Sequence, residues 1–348
     1  MFSLFNIHTW AFIEGKKVNI LKTAFILIIA TLLSACGEEY SAAWLEAKYS
    51  DKTSNFVTID GNRIHYRDEC ENNDENECDQ RDVIVLIHGT SSSLQTWDKW
   101  TAGLVKQYRI VRMDLAGSGL TGPDKKDRYE VKDDVVFISR LLQHLNIQNA
   151  HIVGSSLGGR IAWQYALDFP NQVSSLTLIN ALGYPQDSWP PGIEMGQWPV
   201  VDKLVTHFSS KVMYQYGLED VYFSKALIDD ELVDRYFELS QYPGNSDAFL
   251  KRVKARLDKD SYLIAEISVP TLVLWGDNDI YFPVRNAHRF KHDIKNSQIY
   301  TYSNVGHLPM EEVPEVSLNH FLSFITAVEP NDVGFRCFGI CGKKKISG

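Results

Sequence analysis

The sequence has no excess of basic residues: 35 Lys and Arg stand against 44 Asp and Glu, for a net charge of −9. Without a cationic stripe to neutralise phosphates, a nucleic-acid partner is disfavoured, and the charge otherwise serves solubility. No internal repeat or low-complexity tract is present, which removes solenoids and arrays. There is also no long apolar run. The most hydrophobic stretch, Thr23–Leu33 (TAFILIIATLL), falls short of the roughly 20 residues that span a bilayer and suits the core of an export signal. Cysteine is scarce, at five in 348 residues. Neither Cys70 with Cys78 nor Cys337 with Cys341 has the His or second Cys pair that a structural zinc site needs, so no metal is expected.

What is present is an ordinary globular composition, 44% hydrophobic and 23% charged, enough for one large α/β domain or two smaller ones. Lys16, Lys17 and Lys22 precede the apolar run, and Leu33-Ser34-Ala35-Cys36 follows it. That closing tetrad resembles a bacterial lipoprotein lipobox, which implies an export signal over 1–35 and lipidation of Cys36. A simple signal peptide with an incidental Cys is the competing reading. The residue after Cys36 is Gly37 rather than the Asp that tends to retain such proteins at the inner membrane, so the expected location is the cell envelope, at the outer membrane. The stretch before Lys16 is unusual for such a signal and points to a start nearer Val18. In an oxidising compartment Cys70/Cys78 and Cys337/Cys341 form two close pairs, and two local disulfides are the simplest account. The acidic stretch between Asp68 and Asp82 lacks an EF-hand pattern and reads as a solvated loop.

After a polar linker over 36–55, Phe56–Ile59 and Arg63–Tyr66 alternate around Asp60-Gly61-Asn62, the pattern of a β-hairpin. Short continuous apolar runs then recur at Val83–Ile87, Arg109–Met113, His151–Val153, Leu176–Ile179 and Thr271–Trp275. Continuous rather than alternating hydrophobicity predicts strands buried on both faces, hence a mostly parallel central sheet flanked by helices. Helical spacing predicts helices over Asp134–Leu145 and Leu157–Phe169, the second ending at Pro170. The strand rhythm breaks over 183–263, a stretch rich in Trp and Tyr among charged helical segments. We read it as a helical insertion whose aromatics either line a pocket or form its own core. The core is thus divided into 56–182 and 264–328, with a tail over 329–348.

Gly154-Ser155-Ser156-Leu157-Gly158 fits G-x-S-x-G between a predicted strand and a predicted helix. Small residues are needed there because strand and helix backbones must approach closely while the Ser156 hydroxyl projects from the sheet edge. A serine hydroxyl is a poor nucleophile without a base, so a His and an orienting acid are required, in the chain order Ser, acid, His. WGDND supplies Asp277 and Asp279 after one strand, and VGHLPMEEVPE supplies His307 after the strand Gln298–Tyr302. Loops at the C-terminal ends of parallel strands converge on one edge, which would bring both to Ser156.

Taken together, LIHGTSS, RMDLAGSGLTG, GSSLGG, WGDND and VGHLPMEEVPE, in that order from Phe56 to Ala327, resemble the α/β-hydrolase superfamily, in particular the ester and C–C-bond hydrolases with a helical cap. The resemblance implies Ser156 as nucleophile, His307 as base and Asp279, three residues after Gly276, as acid. It also implies backbone amides of Thr90 and Leu157 as the oxyanion hole, and no metal or organic cofactor. His88 is expected to shape the oxyanion loop and Asp114 to fix the turn Ala116–Gly119. The other histidines, His65, His144, His151, His207, His288, His292 and His320, are expected to be structural or exposed, and Ser91, Ser92 and Ser93 to cap the following helix.

The resulting expectation is an exported, lipid-anchored serine hydrolase acting on a small-molecule ester, attached to the membrane by its lipidated N-terminus. Ser156 excludes the chemistry of relatives in which Asp is the nucleophile. The alternatives are a C–C-bond hydrolase of the kind that opens meta-cleavage products, against which an export signal weighs, and a non-catalytic envelope protein, whose mark would be a lost triad residue.

Overall fold

A computed structural model describes residues 40–71, 78–186, 209–255 and 260–328. The lipidation candidate Cys36, the pair Cys337/Cys341, His207, and the insertion's Trp189 and Trp198 lie outside these residues.

Eight strands form one sheet: β1 (Ser54–Ile59), β2 (Asn62–Glu69), β3 (Val83–Ile87), β4 (Arg109–Met113), β5 (Ala150–Ser155), β6 (Val173–Ile179), β7 (Thr271–Gly276) and β8 (Ser297–Tyr302). Their order is β1-β2-β4-β3-β5-β6-β7-β8. β1 with β2 and β2 with β4 pair antiparallel, and all later pairs are parallel. The hairpin turns on Asp60 (φ 53°) and Gly61 (φ 86°), with Ile59 opposite Asn62. Two positive-φ residues make the turn that matches strand twist, which Asp-Gly accommodates at low cost.

The helices are α1 (Ala42–Tyr49), α2 (Asp98–Leu104), α3 (Val131–His144), α4 (Leu157–Asp168), α5 (Lys211–Val221), α6 (Asp230–Ser240), α7 (Asn245–Lys254), α8 (Arg285–Asp293), α9 (Pro309–Glu312) and α10 (Pro314–Val328). Successive strand side chains point to opposite faces, so each apolar run feeds two cores. Val85 and Ile87 of β3 pack with α3, α4 and α8, whereas Ile84 and Leu86 pack with Trp97, Trp100 and the Phe321 and Phe324 of α10. Among the described residues no helix is long and apolar enough to cross a membrane.

Three local readings are refined. α3 begins three residues before the predicted start because the Glu130 N–H donates to Asp133 Oδ2 at 3.1 Å and closes its first turn. Part of the expected linker is α1, capped by Ser41, whose hydroxyl accepts the Trp44 N–H at 3.2 Å; only Glu46 and Lys48 of its eight residues are charged, and Leu45 is fully buried. Ser93 begins the 3₁₀ turn Leu94–Trp97 without a side-chain cap, and the acceptor at that end is Asp114 Oδ1, which takes the Leu94 N–H at 2.8 Å. Cys70 and Cys78 are joined by a disulfide.

Candidate active site

Ser156 sits between β5 and α4 at φ 56° and ψ −119°, a conformation that costs a non-glycine residue on the order of 1–3 kcal/mol. The surrounding packing holds it there. Its N–H donates to Ile179 O at 3.0 Å, and its carbonyl accepts the N–H groups of Leu182 and Arg160 at 3.1 and 3.2 Å. The turn is tight enough that a Cβ on Gly158 would lie 2.2 Å from the Ile87 carbonyl, and one on Gly154 would lie 2.1 Å from the Gly158 carbonyl. The small residues of GSSLGG are therefore a packing requirement at the crossing of β3, β5 and α4.

The other parts come from the same sheet edge. His307, in the loop after β8, bonds through Nδ1 to Asp279 Oδ2 at 2.7 Å; the Asp279 side chain is fully buried and that of His307 nearly so. Asp279 Oδ1 accepts the Tyr281 N–H at 2.7 Å, and Oδ2 also accepts Asn180 Nδ2 at 2.6 Å. Asp277 lies elsewhere in the same loop: its Oδ1 accepts the Asn304 N–H at 3.1 Å and ties the β7 loop to the β8 loop. The rings of Tyr281 and Phe282 flank the imidazole at 5.2 and 5.4 Å. With Nδ1 held by Asp279, the imidazole offers Nε2 to whatever enters.

Ser156, His307, Thr90 and Leu157 all line one cavity of 1120 Å³ between the sheet edge and α5–α7. Leu157 is the first residue of α4, so its N–H has no acceptor within the helix and is available to a ligand. Thr90 follows His88, a fully buried histidine whose Nδ1 bonds Gly89 O at 2.7 Å while Nε2 accepts the Leu115 N–H at 3.0 Å. Burial lowers its pKa, and the two backbone bonds fix a neutral tautomer that pins the Gly89-Thr90 loop. Asp114 is also fully buried; burial opposes its charge, but bonds from His65 and the Leu120 N–H outweigh that and lower its pKa. Its two oxygens hold the turn after β4 and the start of the 3₁₀ turn after Thr90.

Tyr214, Tyr216 and Tyr236 of the insertion line the cavity, while Tyr222 is core. Tyr222 belongs to a buried polar cluster that sequence reasoning missed. Glu311 Oε2 accepts Tyr222 Oη at 2.8 Å and Arg235 at 3.0 Å, and its other oxygen accepts Thr96 Oγ1. Glu312 accepts the N–H groups of Gly306, Phe223 and Ser224 at 2.6, 2.9 and 3.1 Å. The His307 N–H itself donates to Val221 O at 2.8 Å. The loop bearing His307 is thus held by the insertion, and the only sequence trace was the doubled Glu in VGHLPMEEVPE. Asn180 left a fainter one, a polar residue ending the apolar run of β6.

The profile of the alpha/beta hydrolase fold family matches residues 82–314, well over half of the sequence. The chain belongs to this family. It is 28% identical to the uncharacterized hydrolase YugF of Bacillus subtilis, over 77% of this chain and 96% of the relative. It is 26% identical to the 2-hydroxy-6-oxo-2,4-heptadienoate hydrolase of Pseudomonas putida, over 64% and 82%. Lipase 3 of Moraxella sp. is 24% identical over 72% of this chain and 79% of that one. This α/β hydrolase therefore has both lipases and C–C hydrolases among its relatives, and the expected fold is present, with α5–α7 covering the edge where the site lies.

Proposed function

We propose that this α/β hydrolase is an exported, lipid-anchored carboxylic-ester hydrolase. The observation that carries the chemical part is the 2.7 Å bond between His307 and buried Asp279, in one cavity with Ser156 on its constrained turn. Ser156 Oγ attacks the ester carbonyl carbon while His307 Nε2 takes its proton. Asp279 holds the imidazole in the tautomer with a proton on Nδ1 and stabilises the imidazolium that forms. The Thr90 and Leu157 amides receive the oxyanion, at the N-terminus of α4 where the helix dipole favours negative charge. The proton passes to the departing alkoxide, leaving an acyl group on Ser156. Water, deprotonated by His307, then releases the acid and restores the serine. No step calls for a cofactor.

The lipase relative supports ester chemistry, and the C–C hydrolase relative supports a second reading in which the same residues cleave a carbon–carbon bond beside a ketone. The lipobox at Cys36 and the disulfide between Cys70 and Cys78, a bond of oxidising compartments, support export and favour the first reading. A panel of p-nitrophenyl esters and thioesters of graded chain length, assayed beside a vinylogous 1,5-diketone, tests it. Turnover of esters alone is expected; cleavage of the diketone alone would transfer the function to the second reading. Mass analysis of the mature N-terminal peptide tests the anchor, with a diacylglyceryl group on Cys36 expected.

A further inference from the structure

The described chain starts on the insertion. The Tyr40 ring meets Phe237 of α6 edge-on at 5.9 Å, and Phe237 meets Tyr214 of α5 at 5.6 Å. Farther along α1, Lys48 pairs with Glu238 at 2.6 Å and Tyr49 Oη donates to the same carboxylate at 2.7 Å. α1 is therefore fastened to α6, next to α5.

α5 is unusually bare. Of its eleven residues only Leu218 is buried, and Val212, Met213 and Tyr216 stand 59%, 46% and 66% exposed. Val212 and Met213 precede Tyr216 by four and three residues, so both are its neighbours on the helix surface. Met213 and Tyr216 also line the cavity that holds Ser156, so this exposed apolar face is one wall of its mouth. Trp44 of α1, 44% exposed and tilted against Tyr40 at 5.1 Å, adds another exposed aromatic where α1 meets α6. Water-facing Trp, Tyr, Met and Val beside a cavity entrance make a costly surface in solution and a favourable one at a lipid boundary.

Only three residues lie between Cys36 and Tyr40, and the four residue steps that join them reach no more than about 14 Å when fully extended. A lipid on Cys36 would hold Tyr40 within that distance of the leaflet, with α6 and then α5 each one ring contact farther on. The tether and the apolar rim both belong to the end of the molecule built by α5 and α6. We infer that the exposed face of α5 with Trp44 of α1 rests on the phospholipid leaflet that holds the anchor, so that the cavity opens onto the bilayer and receives esters from it. This placement builds on the proposed Cys36 anchor and assigns it an orientation.

The test uses the full-length lipidated protein in vesicles of phosphatidylethanolamine and phosphatidylglycerol, doped with a phospholipid carrying a diazirine on its acyl chain. After irradiation, labelled peptides are mapped by mass spectrometry, and the same spectra give the mass of the Cys36 peptide. Labelling of peptides 42–49 and 211–221 is expected at least fivefold above that of α3 and α10, whose exposed Val136 and Val316 flank the sheet instead. Val212→Glu, outside the cavity lining, should reduce the α5 label several-fold. Lipidated Cys36 with uniform label, label on α3 or α10, or no label would overturn the orientation and leave the anchor standing. An unmodified Cys36 would overturn the anchor and the orientation with it.

Discussion

Asn180 Nδ2 donates to Asp279 Oδ2 at 2.6 Å, and the same oxygen is bonded to His307 Nδ1 at 2.7 Å. The other end of the Asn180 amide accepts the Gly276 N–H at 3.1 Å, so one side chain fixes both the carboxylate and the strand end from which its loop departs. Its backbone lies at φ 41°, which asparagine tolerates better than most residues. Asn180 is therefore a positioning residue for the proposed acid. Asn180→Gly keeps the backbone conformation and removes the bond; kcat on an ester should fall about 10-fold with KM nearly unchanged, and the urea midpoint should drop by the equivalent of about 1–2 kcal/mol. An unchanged kcat would remove Asn180 from the site.

The two acids of WGDND should separate cleanly. Asp279→Asn leaves the packing but presents an amide to His307, favouring the wrong tautomer, and should reduce kcat by roughly 10⁴-fold with little loss of stability. Asp277→Asn weakens only the tie to the Asn304 N–H and should cost about 1–2 kcal/mol with a much smaller kinetic effect. Measuring kcat and urea midpoints for both variants checks the pair; the reverse pattern would move the acid role to Asp277.

Labelling by a fluorophosphonate probe should occur at Ser156 alone. Ser156→Ala should abolish the label and reduce ester turnover by on the order of 10⁴-fold or more while leaving the fold intact. A probe adduct that persists in the variant would place the nucleophile elsewhere.

The fold was legible wherever one interaction dominated. β3 and β7 read as apolar runs because both faces of each strand are buried, and Ser156 stood out because its turn needs glycine at Gly154 and Gly158. Asp277 and Asp279 were separable only through family spacing, since nothing local shows which carboxylate turns inward. The Glu311 cluster could not be assembled from the sequence because its partners, Thr96, Tyr222 and Arg235, come from distant segments and nothing in any one of them names the others. α1 was missed for a related reason: its ordering contacts are with α6, some 190 residues away in sequence.

The pair formed by partly buried Arg235 and buried Glu311 should join the insertion firmly to the loop that carries His307. Burial opposes the charge on Arg235, but Glu311 overcomes it and raises the arginine pKa. Arg235→Met leaves the Glu311 carboxylate buried without its cation and should destabilise the protein by about 3–5 kcal/mol. The double variant Arg235→Met/Glu311→Gln, lacking an orphan charge, should recover a large part of that loss. Urea midpoints for the wild type, both single variants and the double variant give the coupling; additive losses would show that the two charges do not act as a pair.

A separate acid sensitivity is built into β5. His151 is 2% exposed, and its Nδ1 lies 2.7 Å from Ser175 Oγ. Burial lowers its pKa and Asp82 offsets this only in part, leaving a value of about 4 against the ordinary 6.5. Between those values the unfolded chain holds a proton on this residue that the native protein does not. Stability from the neutral His151 is therefore complete above pH 6.5 and is lost as pH falls toward 4. The loss should reach roughly 2–3 kcal/mol by about pH 4.5, with buried His88, whose pKa is also lowered by burial, adding in the same direction. His151→Gln retains a polar partner for Ser175 but cannot titrate. Its urea midpoint should therefore fall less than that of the wild type between about pH 7 and 4.5, even if it begins lower. Parallel midpoint curves for the two proteins would show that His151 takes up its proton in the folded state at the same pH as in the unfolded chain.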